Sequence, residues 1–258
     1  MGGFLFEQIV FGPIRSRRLG ISLGVNLLPL DKKLCTYNCL YCECGWTLSA
    51  YENNKLPDKE SVALALEIRL QALKDKNAIL DSITFAGNGE PTLHPEFGQI
   101  IDSTIEIRNR LYPEAKITVL SNGTQAGNPA IAAALKKVDQ NILKLDAGYN
   151  DTFQKLNQPA NHLQINNLLI LLEQFQHNLI IQSMFVKGYH NGAYYDNTAD
   201  AEVQEWIGHL KRIKPQKVMI YPIARETPSG EVKKISLQVL EQIARKVEEQ
   251  GIEAEVFF

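Results

Sequence analysis

The sequence predicts an α/β fold, a partial (β/α)6 barrel of TIM type with a mainly parallel sheet. Three observations predict it. Short apolar runs recur along the chain, stretches with helical spacing fill the intervals, and no long linker interrupts the alternation. A short apolar run bounded by turn residues is the pattern of a strand buried on both faces. Repeated strand–helix units stack into a parallel sheet covered by helices. About six units fall short of the eight that close a TIM barrel, so the barrel is expected to stay open.

The expected strands are 24–30, 82–86, 116–120, 142–146, 179–185 and 217–221, with a last short one over 253–258. Apolar faces at helical spacing lie between them. They are Leu66, Leu70 and Leu73; Phe97, Ile100, Ile101, Thr104 and Leu111; and Ile165, Leu168, Leu169 and Leu172. Val203, Trp206, Ile207 and Leu210 form another, and Leu240, Ile243, Ala244 and Val247 the last, with a shorter helix over 129–137. Asp58, Thr198 and Ser236 are the expected N-caps, since each has an oxygen for the free N–H groups of a first turn. Residues 1–22 carry few periodic signals and read as an irregular lead-in, with 23–258 as the barrel and the whole as a single domain.

The 258 residues are 45% hydrophobic and 22% charged, an ordinary balance for a globular protein. The net charge of −2 implies no broad basic field for non-specific nucleic-acid binding. No apolar run reaches membrane-spanning length, and the N-terminus lacks a charged segment ahead of an apolar one. The sequence therefore reads as a cytoplasmic protein.

All four cysteines, Cys35, Cys39, Cys42 and Cys44, fall within ten residues. A disulfide framework would spread them to close long loops, so the cluster points to metal ligation in a reducing compartment. Thiolates are the ligands of iron–sulfur clusters, and three of them leave one iron of a cubane open to a substrate. A zinc knuckle using all four cysteines is the alternative, although structural zinc sites usually split their ligands into two separated pairs. A redox pair at Cys39 and Cys42 would have no need of Cys35. Cys44 as a fourth ligand would block the open position, so it reads as a nearby free thiol.

Other polar residues gather at the expected strand ends. Gly87, Asn88, Gly89 and Glu90 follow the second strand; glycines let backbone approach a ligand, and Glu90 can pair with an ammonium. A plain glycine turn is the alternative. Ser121 and Asn122 close the third strand, where a turn explains Asn-Gly equally well. Lys144 and Asp146 share one face of the fourth strand, and Gln182 and Ser183 lie on the fifth. The Lys–Asp pair either faces a ligand or is a structural ion pair. Gly188, Asn191, Gly192, Tyr194 and Tyr195 read as a polar loop after that strand, with Tyr221 and Arg225 after the sixth. Arg17, Arg18 and Arg225 are candidates for an anionic group of a substrate, because arginine matches carboxylate and phosphate bidentately. Helix capping or surface pairing is their plainer explanation. The five histidines show no ligand spacing.

Cys35, Cys39 and Cys42, with aromatic Tyr41 just before the third, resemble the signature of the radical S-adenosylmethionine (SAM) superfamily. The resemblance implies a 4Fe–4S cluster whose open iron chelates the amino and carboxylate groups of SAM. One-electron reduction, by a donor such as flavodoxin or ferredoxin, then yields methionine and a 5′-deoxyadenosyl radical that abstracts hydrogen from the substrate. It also implies that the glycine-rich turn meets the amino group of SAM, with Asn88 where the commonest form has glycine. Ser121 and Asn122 would lie near its ribose and methionine, Lys144 and Asp146 near its carboxylate and ribose, and Gln182 or Ser183 beside adenine. The phrases Ser16-Arg17-Arg18-Leu19-Gly20, Gly87-Asn88-Gly89-Glu90-Pro91-Thr92 and Leu145-Asp146-Ala147 resemble bacterial radical SAM proteins related to the wyosine-base tRNA synthetases. Outside residues 35–44 there is no cysteine for a second cluster, which points away from wyosine synthesis itself. A nucleotide or RNA substrate is the first expectation. A peptide- or protein-modifying enzyme is the second, and a structural zinc module the non-enzymatic alternative.

Overall fold

The computed structural model describes residues 4–47, 55–225 and 227–258. Met1–Gly3, which entered the reading of the N-terminus, lie outside the described residues. Eight strands form the main sheet path: β1 (Val10–Ser16), β2 (Gly20–Val25), β3 (Ser82–Phe85), β4 (Lys116–Ser121), β5 (Gln140–Lys144), β6 (Ile180–His190), β8 (Lys217–Pro222) and β10 (Glu253–Val256). Every neighbouring pair from β2 to β10 is parallel. The helices are α1 (Lys59–Lys74), α2 (Phe97–Leu111), α3 (Pro129–Lys137), α4 (Asn150–Asn157), α5 (Ile165–Glu173), α6 (Asp200–Ile213) and α7 (Leu237–Glu248). The α/β class and the expected apolar helix faces are borne out; Leu66, Leu70, Leu240 and Val247, for example, are fully buried. Asp58 caps α1 as expected, accepting from the Ser61 N–H at 2.7 Å.

Five expectations are corrected. Residues 1–22 are not an irregular lead-in. Val10–Ser16 is a strand, antiparallel to β2, whose start at Gly20 lies four residues ahead of the expected one. Gly12 and Pro13 interrupt the alternation of β1 where its register against β2 shifts, so its strand signal is weak. The expected strand over 24–30 ends at Val25, because Asn26 folds its side chain back on Leu28 in a local turn. The polar loop after the fifth strand is instead a hairpin: Gly188 lies in β6, Asn191 and Gly192 make the turn, and Tyr194 and Tyr195 lie in β7 (Ala193–Asp196), with β9 (Val232–Lys234) paired to the other side of β6. Ala199, not Thr198, precedes α6, while Thr198 bonds Asp196. Ser236 stands at the start of α7 without a side-chain cap bond. The short helix α4 was not expected from the sequence.

Strand alternation divides the barrel interior in two. On the β2–β5 side, Ser22, Ser82, Thr84 and Thr118 pass hydrogen bonds of 2.7–2.9 Å from strand to strand. On the β5–β10 side, Ile142, Ile180, Met219, Tyr221 and Phe257 form an apolar cluster. Leu19 of the β1–β2 turn inserts into it and covers the part of the interior the sheet leaves open. The C-terminal ends of the parallel strands are left to carry the site, as in other parallel α/β folds.

Candidate active site

The cysteine loop leaves β2 and is sewn down on both flanks. Leu34 donates to the Asn88 carbonyl at 2.9 Å, and Glu90 donates back to the Leu34 carbonyl at 3.0 Å. A Cβ on Gly89 would sit 1.8 Å from that carbonyl oxygen, so only glycine permits the approach. On the other flank the N–H groups of Asn38 and Leu40 bond the carbonyls of Asn157 and Leu156 at the end of α4, each at 3.0 Å. The loop is thereby held between the end of β3 and the end of α4. Cys39 is buried, and Cys35 and Cys42 are half-buried.

The thiols face a cavity of about 310 Å³ at the C-terminal strand ends. Cys35 accepts from the Tyr37 N–H at 3.4 Å and lies 3.7 Å from the Asn122 amide; Cys39 accepts from the Asn157 amide at 3.4 Å. Burial pushes the Cys35 thiol up to about 12 and raises that of Cys39. A hydrogen bond with Cys44, aided by the Lys33 ammonium, lowers Cys42 to about 5. Cys44 also reaches the Gly87 carbonyl at 3.3 Å, so it is a hydrogen-bonded thiol beside the other three.

Most of the expected residues reach this cavity. Gly87, Gly89, Glu90, Ser121 and Asn122 line one wall, Tyr41, Lys144, Gln182 and Tyr221 another, and Arg17 and Arg18 a third. Lys144 lies 3.6 Å from Asp146 and 3.4 Å from the Tyr221 hydroxyl. Burial works most strongly against its ammonium, but Asp146, Tyr221 and Cys39 together outweigh it and leave the pKa raised. Gln182 accepts from Arg18 at 2.8 Å and from Tyr221 at 3.2 Å, and the Arg18 guanidinium stacks 4.4 Å from the Tyr221 ring centre.

Four expected residues are placed elsewhere, and a fifth has a different task. Asn88 turns away from the cavity: its side chain accepts from the Phe6 N–H at 2.8 Å and donates to the carbonyls of Phe6 and Pro29. Ser183 bonds the Leu145 carbonyl, because neighbours on a strand face opposite ways and Gln182 takes the interior. Asp146 is buried behind the cavity wall, accepting from Tyr41, Asn157 and the Met184 N–H. Arg225 is 64% exposed and does not line the cavity, though it pairs at 2.8 Å with Glu43 on its rim. Glu90 lines the cavity, but its carboxylate is committed to the protein. It accepts from the Thr92 N–H and hydroxyl, the Ser121 hydroxyl and the Asn122 N–H at 2.5–3.1 Å, joining the ends of β3 and β4.

Two residues not expected from the sequence complete the site. Asn157 bonds Cys39, Tyr41 and Asp146 together, a role that depends on where α4 docks. Lys33 lines the cavity and is 5% exposed, with its ammonium beside the thiols. Its closeness in sequence to Cys35 was the one available signal. Among the described residues no three His, Cys, Asp or Glu side chains gather round a single-ion position. A buried cation beside half-buried cysteines fits a group that holds them as thiolates.

The sequence profile of the Radical SAM superfamily matches residues 33–190 of this chain. The chain belongs to the radical SAM superfamily. Enzymes of this superfamily use a 4Fe–4S cluster and SAM. Among curated relatives, the chain is 30% identical over 254 residues to a protein named GTPase Obg from Brachyspira hyodysenteriae, covering 96% of the chain and 34% of that protein. It is 34% identical over 189 residues to a UPF0026 protein of Helicobacter pylori, covering 72% of the chain and 58% of that protein. The chain thus spans about a third to three fifths of these relatives. Among solved structures, it resembles a radical SAM methyltransferase from Sphaerobacter thermophilus at a TM-score of 0.65 and 15% identity, over 91% of this chain and 65% of that one. It also resembles archaeal TYW1 at 0.52 and 12%, over 88% and 71%. At such identities the likeness is one of fold, and it bears out the partial barrel. Among the described residues no helix is long and apolar enough to cross a membrane.

Proposed function

We propose that this radical SAM protein is a single-domain cytoplasmic enzyme that cleaves SAM reductively to abstract hydrogen from an anionic substrate. One observation carries the reading: Cys35, Cys39 and Cys42 open onto the same cavity as the polar residues at the ends of β3, β4 and β5 and Gln182 of β6. In this reading the three cysteines hold the cluster, which supplies the 5′-deoxyadenosyl radical from SAM when reduced by a donor such as flavodoxin or ferredoxin. Gly87, Gly89, Ser121 and Asn122 offer backbone and amide groups to the methionine and ribose of SAM. Glu90 keeps that wall in shape. Lys144 and Gln182 face the remaining polar groups, and Tyr41 and Asn157 hold Asp146 beneath them.

The substrate end is read from Arg18. Among the described residues its guanidinium has no carboxylate partner, and Gln182 and Tyr221 hold it from two sides. A guanidinium fixed in that way is prepared for a phosphate or carboxylate. With Arg17 beside it, a nucleotide or RNA phosphate is the first choice and an acidic peptide the second.

Anaerobic reconstitution tests the reading. The protein should bind about four irons and four sulfides per chain, as a 4Fe–4S cluster requires. Alanine at Cys35, Cys39 or Cys42 should abolish binding, and alanine at Cys44 should not. The reconstituted protein should release 5′-deoxyadenosine from SAM, faster with an RNA or peptide fraction of cell extract. Arg18→Ala should keep the basal rate and lose the stimulation. Stoichiometric zinc without iron would overturn the whole reading; an unchanged response of Arg18→Ala would overturn the substrate assignment.

A further inference from the structure

Lys33 is a buried cation whose partners are unusual. Its ammonium donates to the Gly45 carbonyl at 2.9 Å, tying the start of the cysteine loop to its end. It lines the same cavity as Cys35, Cys39 and Cys42, and the charges of those thiols act on it. Among the described residues no carboxylate forms an ion pair with it, unlike Lys144, which has Asp146. A buried ammonium without a counter-ion is costly, and protein interiors seldom keep one. Here the groups able to carry the opposite charge are the thiols.

We propose that Lys33 is the fixed countercharge of the iron–sulfur cluster and raises its reduction potential. The inference rests on the reading that Cys35, Cys39 and Cys42 hold a cubane. Three thiolates on a core of two positive charges carry one net negative charge. Accepting one electron from a low-potential one-electron carrier makes that two. A fixed positive charge at the edge of the cage favours the more negative state. Net charge, hydrogen bonds to the sulfurs and solvent exposure are the protein's means of setting cluster potential. Lys33 supplies the first and, being buried, is little screened by salt.

The test is an EPR-monitored redox titration of the reconstituted full-length protein without SAM, comparing wild type, Lys33→Gln and Lys33→Arg. The glutamine variant should titrate at a more negative potential, with the ratio of reduced to oxidised cluster at fixed potential down at least tenfold, about 59 mV for a one-electron couple. The arginine variant should stay within that tenfold of wild type. The signal comes only from clusters present, so a variant with reduced iron still reports. A glutamine variant with an unchanged midpoint overturns the proposal, as does an arginine variant displaced as far as glutamine. Complete loss of iron in the glutamine variant alone would assign Lys33 to loop assembly and overturn it too. Unchanged potential with weakened SAM binding would make Lys33 a SAM ligand instead. Failure of wild type to take up iron would overturn the cluster reading itself, a result distinct from all of these.

Discussion

Glu90 shows how one side chain can belong to a site without being free to meet a ligand. Its carboxylate is buried and accepts four hydrogen bonds, from Thr92, Ser121 and the Asn122 N–H. Burial outweighs those donors and leaves its pKa raised. Removing the acceptor strands buried donors on both β3 and β4. Glu90→Ala is therefore expected to cost about 3 kcal/mol of folding stability, from unsatisfied groups at roughly 1–3 kcal/mol each. Glu90→Gln keeps one carbonyl acceptor and should cost less. Urea denaturation of the apoprotein measures both; an alanine variant as stable as wild type would show that water replaces the carboxylate and that the turn does not depend on it.

At the scale of elements, Asn88 accounts for a departure from the commonest superfamily motif. Its side-chain amide pairs with both backbone groups of Phe6, and Phe6 stacks on Phe11 of β1 at 3.6 Å. The residue that stands where a glycine is common thus fastens the segment ahead of β1 to the turn after β3. The same segment reaches the cysteine loop through the Phe4 N–H and the Glu43 carbonyl at 2.8 Å. Asn88→Gly should retain the turn, because glycine tolerates any backbone conformation there, and should release the segment. Amide exchange at Phe6 should then rise at least tenfold while iron uptake stays at the wild-type level. Unchanged protection at Phe6 would mean that the Phe6–Phe11 stack holds the segment unaided.

Across the whole molecule, one polar chain crosses the barrel interior. It runs from Arg18 in the β1–β2 turn through Gln182, Tyr221, Lys144, Asp146 and Asn157 to Cys39. Lys144 is the charged centre of this chain, and its raised pKa is linked to stability. A lysine whose pKa is higher folded than unfolded contributes stability in full below its unfolded value, near 10.4. That contribution is lost as pH rises through the folded value. Apoprotein Lys144→Met should therefore be less stable than wild type at neutral pH. The gap should narrow above about pH 10.4, where lysine ordinarily titrates. Denaturant midpoints of the two proteins across that range check it. A gap that stays constant would mean that Lys144 acts through packing rather than charge.

The sequence by itself determined the parallel α/β architecture, the clustering of the cysteines and most of the residues that line the cavity. Each of these is written in local spacing. Apolar runs of strand length read directly, as do helix faces at Leu66, Leu70 and Leu73 and the interval between Cys35, Cys39 and Cys42. The tertiary structure alone decided which way each polar side chain turned and what it met. Gln182 and Ser183 are neighbours, and only the sheet's orientation sends one inward and the other to the Leu145 carbonyl. Asn157 is one asparagine among many until α4 docks beside Cys39. β1 was missed because Gly12 and Pro13 interrupt its alternation and its pairing with β2 is a contact between segments, not a pattern within either. Lys33 gave no strong signal because a buried cation is recognised by what surrounds it, and its surroundings are brought together by folding.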